Sequence, residues 1–107
     1  MIKMFKTKLF NRWAKAEDLS DEELCSAIDE IEHGLVEVSL GAYLFKKRVA
    51  KAGQGKRGSY RTIIAYRRKE RSFFLYGFGK GERSNIDQKE EKALKKLSRV
   101  FMSYNDQ

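Results

Sequence analysis

Proline is absent from this 107-residue chain, and cysteine and histidine occur once each. Without proline there is no rigid linker and no proline-marked turn. The single Cys25 excludes an internal disulfide and fits a reducing compartment. His33 has no second histidine and no cysteine partner, so neither a metal site nor a two-histidine ribonuclease site is available. No cofactor is expected. No apolar run approaches the roughly 20 residues of a membrane span. The start, MIKMFKTKLF, lacks the continuous apolar core of a signal peptide. A cytoplasmic protein with no membrane partner is the expectation. A GxGxxG turn, a phosphate-binding P-loop, a Ser-His-Asp set, internal repeats and low-complexity tracts are also missing. Gly77, Gly79 and Gly81 alternate but lack the Lys-Ser/Thr of a Walker loop.

What the chain has in quantity is unevenly placed charge. Net charge is +8, and 41% of residues are hydrophobic, which suits one domain over residues 1–107. Residues 46–83 hold thirteen lysines and arginines against Glu70 and Glu82, a local +11. Residues 20–45 hold seven acids and no lysine or arginine. A basic block interleaved with aromatics and β-formers is the footprint of a sheet that faces nucleic acid. A solvated basic surface is the plainer alternative.

Periodicity places the elements. Residues 2–6 alternate as a short strand, and Leu9, Phe10, Trp13 and Ala16 fall at helical spacing over residues 8–16. Trp13 reads as a core anchor. Ser20 with Glu23 forms a capping box that starts a second helix, with Leu24, Ile28, Ile31 and Leu35 on one stripe and Gly34 at its end. Cys25 reads as packing on that helix, His33 as a residue at its end, and Asp21, Glu22, Asp29, Glu30 and Glu32 as a solvated outer face. Strands follow over residues 44–51, 59–68 and 71–80, joined by a glycine-rich turn at 53–58 and a tight turn at Lys69 and Glu70. A last helix, capped by Ser84 or Asn85, runs to about Met102.

Strand alternation groups the side chains. Antiparallel pairing sets Arg48 opposite Arg61, Arg61 opposite Phe78 and Lys80 opposite Ser59. One face then carries Lys46, Arg48, Arg61, Tyr76, Phe78 and Lys80. The other carries Phe45, Val49, Tyr60, Ile64, Tyr66, Phe73 and Leu75 for helices to cover. Like charges opposed on one face want an anion, and a phosphodiester is the natural one. The alternative is that they pair with Glu82, Glu90 or the last helix. RNA brings its own nucleophile, the 2′-hydroxyl, so cations that align it and stabilise charge on the phosphate can cleave without metal. Arginine forks suit the second task. A lysine or tyrosine can move protons, and Tyr76, Phe78 or Tyr104 can stack bases.

The order LFKKRVA, GQGKRGSYRTIIAY and FFLYGFGKGERSNI, followed by a closing helix, resembles the RelE-type toxins of bacterial toxin–antitoxin pairs, on their HigB-like side. The resemblance implies a small α+β fold of microbial-ribonuclease type, an antiparallel sheet with two N-terminal helices on one face and a C-terminal helix. It implies mRNA cleavage on the translating ribosome and a cognate antitoxin, expected to be a helix-turn-helix protein. By motif, the catalytic residues fall on Lys46, Arg48, Arg61, Lys80 and Arg83. RNA binding is expected of Lys47, Lys51, Lys56, Arg57, Tyr76 and Phe78. Gly81 stands where the best-known members have an arginine, and Asp87 where they have a tyrosine. The superfamily also holds toxins that poison DNA gyrase by contact, and a relative that only binds RNA is the third possibility.

Overall fold

Local signals set the helices of the computed structural model, which describes residues 3–36, 38–51, 55–79, 81–83 and 85–104, the side chains of 51 and 55–58 excepted. Strand β1 spans Lys3–Lys6 and helix α1 spans Lys8–Ala16. The Thr7 hydroxyl starts α1 by accepting the Phe10 N–H at 3.1 Å. Helix α2, Asp21–Glu32, begins with the full Ser20–Glu23 capping box: Ser20 N donates to Glu23 Oε1 and Glu23 N to Ser20 Oγ. It ends with His33 Nδ1 donating to Asp29 O at 2.8 Å and Gly34 in the left-handed region at φ 85°. Leu35 lies past that end and is 59% exposed, so it leaves the apolar stripe on which it was expected. Cys25 is exposed, its Sγ 3.8 Å from Met4 Sδ, and is not a packing residue.

Strands β2 (Val38–Gly41), β3 (Leu44–Lys51), β4 (Gly55–Arg67) and β5 (Arg71–Gly79) precede helix α3, Gln88–Met102. The sheet order is β1-β5-β4-β3-β2. Pairing is antiparallel except that β1 joins β5 in parallel, the one departure from the expected antiparallel sheet. The short edge strand β2 carried no recognisable alternation and was not expected. β4 begins four residues before the expected start, so its pairing runs into the glycine-rich stretch. Residues 52–54 lie outside the described residues.

Arg48 pairs with Arg61, and Arg61 with Phe78, as alternation requires. Between Ile63 and Ile64 the β4–β5 register then slips by one, with Leu75 the extra residue. Such a bulge turns successive side chains to one face. Phe73 and Leu75 therefore pack on the α3 side, not against α1 and α2 as expected. Phe74 takes the place under α1, its ring 5.0 Å from Phe10.

The sheet thus separates two cores. Phe10, Leu24, Ile28, Val49, Ile64 and Phe74 fill one beneath α1 and α2. Leu44, Ile63, Leu75, Phe78, Ile86 and Met102 fill the other beneath α3. Each such buried side chain contributes roughly 1.5–3 kcal/mol. Trp13 anchors α1 against the sheet by lying on Gly77, where a Cβ would come within 2.2 Å of its ring.

Helix α3 is capped by Asp87, not by Ser84 or Asn85. Asp87 Oδ1 accepts Glu90 N at 2.7 Å and Glu90 Oε1 accepts Asp87 N at 2.9 Å. Asn85 Oδ1 instead accepts Ile86 N, and Ser84 lies outside the described residues. The far end of α3 is fastened by buried Arg71, whose Nη1 donates to Tyr104 O. The acidic face of α2 is more than solvation. Asp21 pairs with Lys6 at 2.7 Å, Glu30 with Lys47 at 2.6 Å, and Glu32 accepts from the Tyr66 hydroxyl. Among the described residues, no helix is long and apolar enough to cross a membrane.

Candidate nucleic-acid interface

Strand register groups the basic residues of β3 and β4. Two cross-strand rows define the place: Lys46, Ile63 and Tyr76, then Arg48, Arg61 and Phe78. Directly opposed residues of an antiparallel pair hold their Cβ atoms about 5 Å apart, and like charges so placed weaken a sheet. Lys46, Arg48 and Arg61 are all half-buried. Beyond β2 the sheet edge is β3 itself, and Arg48 also lines a cleft against α2 with Glu23, Ser26 and Glu30.

Arg83 completes the cluster from the loop after β5. Its Nη2 lies 2.5 Å from Glu90 Oε1 and its Nη1 2.9 Å from Glu90 Oε2, while Nε donates to Asn85 O at 2.8 Å. Nη1 also donates to the Tyr76 hydroxyl at 3.3 Å, and the guanidinium sits 5.8 Å over the Phe78 ring. The Glu90 carboxylate raises the Arg83 pKa, and Arg83 in turn lowers that of Glu90. Pairing with Glu90, one of the alternatives weighed from the sequence, holds for this arginine. Glu82, the other acid considered, accepts Gly79 N at 2.9 Å and so fastens the loop.

Several expected residues stand elsewhere. Lys47 points to the opposite face, is 7% exposed and is spent on Glu30, so it is not available to RNA. Strand alternation dictates that position once Lys46 and Arg48 face α3. Phe78 is 1% exposed and belongs to the core under α3, so it cannot stack a base. Tyr76 is half-buried and keeps its hydroxyl at the cluster. Tyr104 lies at the opposite end of α3, about 20 Å from the Glu90 turn at 1.5 Å per residue. Lys80 and the side chains of Lys51, Lys56 and Arg57 lie outside the described residues.

Asp87 caps α3, which accounts for an acid at this position. Glu90 was foreseen only as a rival partner for the cations. Its second role was legible in Asp87-x-x-Glu90, the same capping pattern as Ser20-x-x-Glu23. Among the described residues no three His, Cys, Asp or Glu side chains gather as a metal-binding group. What the arrangement can do is bind an oxyanion. The Arg83 fork already holds two oxygens of one planar carboxylate, the geometry by which guanidinium groups take phosphate.

Two comparisons bear on the chain as a whole. A family model described as the RelE toxin of the RelE/RelB toxin–antitoxin system matches residues 2–107. No curated protein sequence matches the chain.

Proposed function

Because the chain belongs to the RelE toxin family, it is the toxin of a toxin–antitoxin pair with an antitoxin as partner, and we propose that it acts as a metal-independent endoribonuclease on mRNA at the translating ribosome. The observation that carries the reading is the cross-strand pairing of Arg48 with Arg61, with Lys46 in the next row. Opposed cations weaken a sheet, and a bridging phosphate turns that repulsion into binding.

In the proposed reaction the 2′-oxygen attacks the adjacent phosphorus while the bond to the 5′-oxygen breaks. The 2′-hydroxyl gives up its proton and the departing 5′-oxygen takes one up, leaving a 2′,3′-cyclic phosphate and a 5′-hydroxyl. Arg61 and Arg48 stabilise the charge that builds on the phosphate oxygens, and Lys46 and Lys80 hold the neighbouring backbone. Arg83, held by Glu90 and Tyr76, borders the same space. The proposed antitoxin is a helix-turn-helix protein.

Primer extension on a translated mRNA, with purified protein and with or without ribosomes, tests the reading. Discrete new 5′ ends that need ribosomes and vanish with Arg61→Ala are expected. Growth arrest with intact mRNA would overturn it in favour of a toxin acting by protein contact.

A further inference from the structure

The β2–β3 hairpin turns on two non-glycine residues in the left-handed region, Ala42 at φ 55° and Tyr43 at φ 61°. Tight hairpins of this kind favour Asn-Gly or Gly-Gly, since an L side chain there costs roughly 1–2 kcal/mol. A bulky aromatic at such a position is sustained only by its surroundings. The fold supplies them. Buried Ser98 of α3 donates to Ala42 O at 2.6 Å, and Tyr66 N donates to Tyr43 O at 2.9 Å.

The strain sets an aromatic ring on display. Tyr43 is 48% exposed, and the Arg67 guanidinium lies 5.5 Å over its ring. Glu70 steadies Arg67 through a 3.1 Å contact to Nε. Next to it, Lys69 projects from the β4–β5 turn, exposed and left-handed at φ 61°, whereas exposed Arg68 turns to the opposite face and lines a pocket with Glu32, His33 and Tyr66. Two adjoining strained turns therefore carry a stacked Arg–Tyr pair flanked by one further cation, Lys69.

We propose that this end of the sheet is a second RNA contact, separate from the Arg48–Arg61 cluster and resting on the ribonuclease reading above. A nucleobase stacks on the outer plane of Arg67, which Tyr43 backs, while Lys69 takes a flanking phosphate. Arg61 and Arg67 share one face of β4, six residues apart, which is about 20 Å. Helix α3 covers Ile63 and Ala65 between them. The second contact therefore holds RNA beyond the cleaved phosphate, either the same strand or a folded segment nearby. Glu70 is the sole acid of the β4–β5 turn and is engaged with Arg67 and Arg71, so the patch is cationic and suits a phosphate chain.

The test uses uncleavable 2′-O-methyl RNA, as a single-stranded dodecamer and as a hairpin, with fluorescence anisotropy across salt concentrations. Tyr43→Asn suits the left-handed turn, so its melting temperature is expected to match or exceed that of the wild type. Its affinity for one probe is expected to fall about tenfold, and which probe loses affinity identifies the RNA form. Lys69→Ala is expected to flatten the salt dependence by about one counterion. Unchanged affinity of Tyr43→Asn for both probes overturns the proposal. Unchanged RNA affinity with weakened antitoxin binding reassigns the patch to a protein. The Tyr43 effect is expected to persist in an Arg61→Ala background; a wild type that binds neither probe defeats the ribonuclease reading as well.

Discussion

Glu90 grips Arg83 with both carboxylate oxygens, and one of them, Oε1, also accepts the Asp87 N–H that begins α3. The loop after β5 and the first turn of α3 are thereby one unit. The carboxylate occupies the donors that a phosphate would use, so it competes with RNA for the fork and lowers the local positive potential.

Replacing Glu90 by Gln removes that competition. Affinity for uncleavable RNA is expected to rise severalfold, with a salt dependence steeper by about one counterion. Anisotropy titrations between low and physiological salt measure both. The pH response has a definite sign. Because Arg83 lowers the Glu90 pKa in the folded state, the pair contributes above the ordinary carboxylate pKa of about 4.3. That contribution is lost as pH falls through the lowered value. The Gln variant is expected to lack this part of the acid limb in thermal melts.

Arg61→Ala is expected to abolish most cleavage, by about 10²–10³-fold, as for other single donors to a developing oxyanion. Its melting temperature is expected to change little, since relief of the opposed Arg48 offsets the contacts given up. Timed cleavage assays beside calorimetry check the pair of outcomes. A variant that unfolds instead would mean that Arg61 serves the fold.

Gly77→Ala tests the α1 anchor. A methyl group at 77 meets the flat Trp13 ring at 2.2–2.6 Å, and neither the strand nor the ring can withdraw without disturbing the core. A loss of about 1–3 kcal/mol is expected. Urea unfolding followed by the fluorescence of the single tryptophan measures it.

Tyr66→Phe tests the link between α2 and β4. Burial first, and then the hydrogen bond to Glu32, raise the Tyr66 phenol pKa above its usual 10. A raised folded value means that the stabilisation is complete below about pH 10 and is lost as pH climbs through the folded pKa. The Phe variant is expected to lose roughly 1 kcal/mol at neutral pH. It should also show a flatter alkaline limb in denaturant titrations run from pH 7 to 11.

Capping chemistry and strand alternation carried most of the architecture. Ser20 with Glu23 started α2 where expected, and the Arg48–Arg61 pairing followed from alternation and turn position alone. Nonlocal geometry accounts for the misses. The slip at Leu75 depends on how β5 fits Ile63 and Ile64, and no local pattern announces it, so Phe73 and Leu75 changed faces. Phe78 looked available for stacking because nothing in strand spacing shows that α3 lies across that half of the sheet. Lys47 was grouped by its charge, although the same alternation that grouped Lys46 with Arg48 had already placed it opposite.

The parallel seam between β1 and β5 bears on how the molecule assembles. Thr7 meets Leu75 across 68 residues, and among the described residues no other strand pair joins positions so far apart in the chain. The hairpins from β2 to β5 close over short distances and can form early, whereas the first strand must await β5 and add itself to the finished edge. High contact order at that one seam makes it the natural late step of folding, so β1 is among the last elements to find its place.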